Sequence, residues 1–154
     1  MTFHQLWDSL RQMRRLSFIA RSEGSTGCNG VGYGTVVVDE IDNETMTFTE
    51  SGSWSHEGTG REIRFSNVYR WTLADDVLRL EHLRQGVDHP VYLFDLVQSS
   101  EREWQAASPH MCREDCYSAT LVIHDDNIHL RWTIDGPRKR ETIEYIYMGQ
   151  VEKT

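Results

Sequence analysis

Along the chain the spacing of apolar positions changes once. Phe3, Leu6, Trp7, Leu10 and Met13 recur three and four residues apart, with Thr2 placed to cap the first turn and arginines gathered near the far end. This spacing predicts one amphipathic helix over about 3–15. Beyond Leu16 the period becomes two, which predicts strands over 17–21, 32–39, 45–51, 62–73, 77–83, 91–98, 103–107, 117–124, 128–134 and 140–148. Asp42-Asn43, Ala74-Asp75-Asp76, Asp125-Asp126-Asn127 and Asp135-Gly136-Pro137 fall between alternating runs, where short polar residues favour tight turns. The Gly- and Ser-rich stretches 22–30 and 53–60 read as loops suited to the rim of an opening.

Many short antiparallel strands with no second helix to cover a sheet face are best satisfied by closure, which removes exposed edges. The expected fold class is therefore mainly β, an antiparallel up-and-down barrel of about 8–10 strands with the N-terminal helix capping one mouth. A length of 154 residues suits a single barrel domain over 1–154, and such a chain buries roughly two thirds of its unfolded surface.

Alternation also assigns faces. Ile63, Phe65, Tyr69, Trp71 and Leu73 share a phase with Asn67; Met46 and Phe48 lead in phase to Glu50; Leu78 and Leu80 lead to His82. Ile128, Leu130, Trp132 and Ile134 form an apolar row, and Ile143, Tyr145 and Tyr147 set hydroxyls on an aromatic wall. An ionised carboxylate without partners is costly to bury, so Glu50 implies a strand end in water, a cationic partner or a hydrated cavity.

A formal net charge of -8 argues against nucleic acid and anionic membrane surfaces, which need a positive field. Apolar runs such as Val36-Val37-Val38 are too short to span a bilayer. The first residues carry Asp8, Arg11, Arg14 and Arg15 where a signal peptide would be apolar, so a cytoplasmic location is expected. Three cysteines, Cys28, Cys112 and Cys116, make an odd count that fits reduced thiols.

Two segments concentrate chemistry. In Pro109–Tyr117, His110, Cys112, Asp115 and Cys116 offer ligands for a zinc-like ion, or a Cys–His pair for nucleophilic work. A structural account of the same segment makes Asp115 a turn acceptor, sets His110 on the loop backbone and treats the cysteines as small apolar groups. In the turn after Trp132, Gly136-Pro137 precedes Arg138, Lys139 and Arg140, which would grip a carboxylate or phosphate or simply form a solvated tip.

On Glu50-Ser51-Gly52, Tyr69-Arg70-Trp71, His110-x-Cys112-x-x-Asp115-x-Tyr117 and Trp132-x-Ile134-x-Gly136-Pro137-Arg138-Lys139, the chain resembles an uncharacterised family of bacteria and fungi with lipocalin-like (calycin-like) character. The resemblance covers nearly the whole chain. It implies a barrel and draws attention to His110, Cys112, Asp115, Tyr117 and the Arg138-Lys139 pair, but supplies no reaction.

The function expected from the sequence is the binding of a small, partly apolar molecule, for which an anionic group is one option. Glu50, Tyr69, Trp71, His82, His110, Tyr117, Trp132, Arg138, Lys139 and Tyr145 are the candidate contacts, and neither a cofactor nor a metal is assigned. Three rivals stand beside it: an enzyme using His110, Cys112, Asp115 or Glu50 for acid–base or thiol chemistry, a haem or metal binder, and an interaction module such as a homodimer.

Overall fold

The computed structural model describes residues 2–23, 29–108, 110–112, 114–137 and 140–149, with the backbone alone at His110 and Cys112. Helix α1 (Phe3–Arg11) is followed by β1 (Met13–Glu23), β2 (Gly30–Asp42), β3 (Thr45–His56), β4 (Glu62–Ala74), β5 (Val77–His82) and β6 (Val91–Ser100). Then come β7 (Glu103–Ala106), β8 (His110–Cys112), β9 (Asp115–Ile123), β10 (Asn127–Asp135) and β11 (Arg140–Gly149).

Helix α1 begins as its sequence dictates. The Thr2 hydroxyl accepts from the Gln5 amide at 3.3 Å, and the Gln5 side chain accepts from the Thr2 amide at 2.7 Å, a reciprocal capping box. Thr2→Ala is expected to lower stability by about 1 kcal/mol, read as a shift of the urea midpoint at constant slope. The helix ends at Arg11, earlier than the apolar spacing predicts, and Met13 opens β1. A register irregularity between Met13 and Arg15 puts Met13 and Leu16 both on the buried side, so a bulge in a strand imitates a helical spacing of three.

Every strand pairing is antiparallel, and each strand from β1 to β6 pairs with the next. The ring continues from β7 to β9, β10 and β11, and β11 returns to β1 with Leu16 opposite Tyr147 and Phe18 opposite Tyr145. Ten strands therefore close the barrel, and among the described residues β8 pairs only with β9, as a short hairpin on the edge that β7 uses further along. The segment around His110 and Cys112, expected as a loop, supplies that strand. Likewise β3 does not stop at Ser51: Ser53–His56, expected as loop, pairs with β2 on one side and, to Ser55, with β4 on the other. β1 also runs on to Glu23 opposite Arg140, while residues 24–28 of the other expected loop lie outside the described residues.

The barrel has two unlike ends. Leu6, Trp7 and Leu10 of α1 are buried against one end, and Phe3 meets Trp104 with ring centroids 6.1 Å apart. Below the helix Phe48, Trp71, Leu80, Phe94, Leu121 and Leu130 fill the interior with side chains at most 1% exposed. The other end, where β3, β5 and β10 finish and β2, β4 and β11 begin, carries no helix among the described residues. No helix of the described residues is long and apolar enough to cross a membrane.

Candidate functional site

At the open end the wall is thinned by glycine. β2 turns Gly30, Gly32 and Gly34 inward, and a Cβ added at any of them would collide: at Gly32 with the Phe18 ring, at Gly34 with the Ser51 carbonyl, at Gly30 with the Ser55 carbonyl. Their bareness lets Phe18, Phe65 and Trp54 lie across the wall. Between them is a hollow of about 170 Å³ lined by Phe18, Ala20, Trp54, Phe65, Asn67 and Tyr145. Phe18 stands edge-on to Phe65 and tilted to Tyr145, both at 5.4 Å between centroids.

Beneath the hollow sits Glu50, fully buried (0% exposed) at the level where β3 pairs Glu50 with Asn67 of β4. The Tyr147 hydroxyl donates to its Oε2 at 2.6 Å, while Oε1 has no partner. Desolvation raises the Glu50 pKa from 4.5 to about 7, with the Tyr147 hydrogen bond pulling the other way. The Tyr69 and Tyr145 hydroxyls interact with each other, and burial first, then neighbouring charges including Glu50, holds Tyr69, Tyr145 and Tyr147 above the ordinary phenol range. One carboxyl and three hydroxyls thus share the middle of the barrel, walled by aromatic faces.

Around this cluster the rings are continuous. Tyr145 and Tyr147 stack at 5.8 Å and Tyr69 stacks on His82 at 4.8 Å, while Trp132 stands edge-on to Tyr69 at 6.1 Å and to Phe94 at 5.2 Å. The Trp132 indole nitrogen is buried without a partner. His82 is half-buried and its pKa is lowered, first by desolvation and then by the Arg84 charge.

The alternation therefore brings Glu50, Tyr69, His82, Trp132 and Tyr145 together. Trp71 instead lies toward the helix, 1% exposed and edge-on to Phe48 at 5.7 Å, so it is part of the plug. Tyr117 is half-buried on β9 opposite Ile134 of β10. Asp115 opens β9, and its carboxylate occupies the space a Cβ on Gly136 would need, so the two chemistry-rich segments meet side by side. The side chains of His110 and Cys112, and all of Arg138 and Lys139, lie outside the described residues. No group of three or more metal-binding side chains occurs among the described residues. Glu50 answers none of the simplest expectations for an inward carboxylate: it is neither at a strand end nor paired with a cation, and it does not itself line the hollow.

Phe18, Trp54, Phe65 and the β2 glycines belong to the candidate site without having been singled out from the sequence. Their signal was present, because Met46, Phe48, Glu50, Gly52 and Trp54 keep one phase straight through the stretch read as a loop. Two wider depressions, of about 450 and 640 Å³, lie at the opposite end around Asp125, Asp126 and Asn127. Neither gathers inward-facing aromatics, and we place the site at the open end.

Residues 7–148 match the Family of unknown function (DUF6314). No curated protein matches the chain. Among solved structures the S-type phycobiliprotein lyase CPES from Guillardia theta superposes with a TM-score of 0.61 at 8% identity, over 99% of this chain and 95% of that one. A redesigned β-barrel, mFAP1, bound to DFHBI, has a TM-score of 0.43 at 11% identity, over 90% of this chain and 96% of that one.

Proposed function

The chain belongs to this family of unknown function, and we propose that it binds a small, partly apolar molecule in the open end of its barrel. The likeness to the lyase carries the fold alone; the binding reading rests on the chain's own residues. One observation carries it: an aromatic-lined hollow shares Asn67 and Tyr145 with the surroundings of a fully buried carboxyl that has an unpartnered oxygen. An unpartnered buried acceptor is costly to folding, so a contact supplied by a ligand from the hollow would offset that cost.

The volume sets the scale. About 170 Å³ is roughly the room of five or six water molecules, so the ligand is compact or inserts only one end. Phe18, Trp54, Phe65 and Tyr145 supply its apolar contacts, Asn67 a polar one, and the Glu50–tyrosine layer a polar floor. Native mass spectrometry of freshly purified protein is expected to show a retained mass that Ala20→Phe, which fills the hollow from its rim, abolishes. Identical ligand-free masses for both proteins, together with failure of any added ring-sized compound to change tryptophan fluorescence, would overturn the proposal.

A carboxyl held near pH 7 and hydrogen-bonded to a tyrosine also suits general acid–base work. This second reading requires that the retained molecule be converted on incubation and that Glu50→Gln stop the conversion; recovery of an unchanged molecule leaves binding alone.

A further inference from the structure

The charge of the ligand can be taken further. Among the described residues on the inward phase of the strands none is Lys or Arg. Acidic groups do occupy that phase: Glu50 in the middle and, toward the rim, Glu141, in phase with Ile143 and Tyr145. Four aromatic rings border the hollow, and their negative faces attract a cation that has shed part of its water. A compact alkylated ammonium satisfies all three features at once. It is apolar over its surface, needs no hydrogen-bond donor in the wall, and is attracted by a carboxylate in the layer beneath the hollow.

We infer that the open end is an aromatic cage for a small organic cation of the alkylammonium type, with Phe18, Trp54, Phe65 and Tyr145 as its walls and Glu50 as the buried countercharge beneath it. The inference rests on the binding function proposed above and names its ligand class. It departs from the anion that the Arg138-Lys139 turn suggests.

The pH dependence follows from the groups that face Glu50. Tyr145 and Tyr147 reach it from β11 and Tyr69 from β4; His82 of β5 lies behind Tyr69 with Arg84 nearby. At that level β1, β2 and β10 present apolar side chains and glycines. The tyrosines stay neutral through the working range, while Glu50 loses its proton near pH 7. A permanent cation therefore binds the ionised form, releases a proton on binding below that pH, and weakens by up to about tenfold per pH unit on the acid side. Protonation of His82 at lower pH acts in the same direction, so the Glu50 variant is needed to separate the two.

The test uses the full chain and three matched probes: choline, its neutral isostere 3,3-dimethylbutan-1-ol, and 3,3-dimethylbutyrate. Tryptophan fluorescence and calorimetry at pH 8 are expected to show choline binding about tenfold or more tighter than the alcohol. The preference should fall as pH drops below 7, and in Glu50→Gln it should shrink to what the rings alone supply and lose its dependence on pH near 7. Trp54→Ala removes a half-buried wall at the mouth rather than a core side chain, and should weaken choline about tenfold. Equal or tighter binding of the alcohol or the butyrate overturns the cation while the pocket stands. If none of the three binds, and native mass spectrometry finds no retained molecule, the pocket falls with it.

Discussion

Glu50→Gln makes the chain more stable at pH 8 and leaves it nearly unchanged at pH 5. The carboxyl is 0% exposed, and burial lifts its pKa from 4.5 to about 7. A raised carboxyl pKa means that the folded state holds the proton more tightly than the unfolded state. The folded protein therefore suffers no penalty below pH 4.5, loses stability as pH rises from there to about 7, and levels off above at a cost of about 3 kcal/mol. Glutamine carries no ionisable proton and its carbonyl can still accept from Tyr147, so the slope disappears. Its extra N–H donors lack assigned partners, which reduces the net gain at pH 8 to about 2 kcal/mol. His82 and His129, both with lowered pKa values, give the opposite slope below about 6.5, so the informative quantity is the difference between variant and wild type. Urea unfolding at pH 5, 6, 7 and 8 measures it. A constant difference over that range would show that Glu50 is not titrating in the folded chain.

Alternation fixes the face of a strand side chain but not its depth in a barrel. Period two placed Glu50, Asn67 and His82 on the inward phase because side chains of a strand alternate between faces wherever no bulge intervenes. The hairpin tips were legible for a similar local reason, and Asp75 takes a φ of 53° in one of them. Depth along the barrel axis is a different matter. Tyr69 and Trp71 share a phase, yet one joins the hydroxyl cluster and the other the plug under the helix. Nor does a local pattern disclose that the partner of Glu50 is Tyr147, 97 residues away, since this contact exists only once the first and last strands pair and the ring closes. The hollow was hidden by the very residues that make it: Gly30, Gly32 and Gly34 read as weak strand formers or loop, although here their lack of a side chain is what the packed rings require.

The demand for bareness is strictest at Gly52, and Gly52→Ala is expected to cost about 3 kcal/mol. Gly52 of β3 stands opposite Gly34 of β2, where the two strands approach unusually closely. A Cβ there meets the Tyr33 carbonyl oxygen and the Gly34 Cα, and lies 2.8 Å from the Tyr33 carbonyl carbon. All of these atoms are backbone of a strand held on both sides by its ladders, so relief requires separating β2 from β3 within a closed ring. Gly32→Ala offers a contrast, because what its Cβ meets is the Phe18 ring, a side chain that can swing into the hollow. Its stability loss should be smaller, about 1 kcal/mol, with binding at the open end suffering instead. Denaturant unfolding of the two variants, followed by the choline titration on whichever remains folded, separates them. Equal stability losses would mean that the strand approach at Gly52 relaxes as easily as a side chain turns, and the closed ring would not be the rigid element that shapes the site.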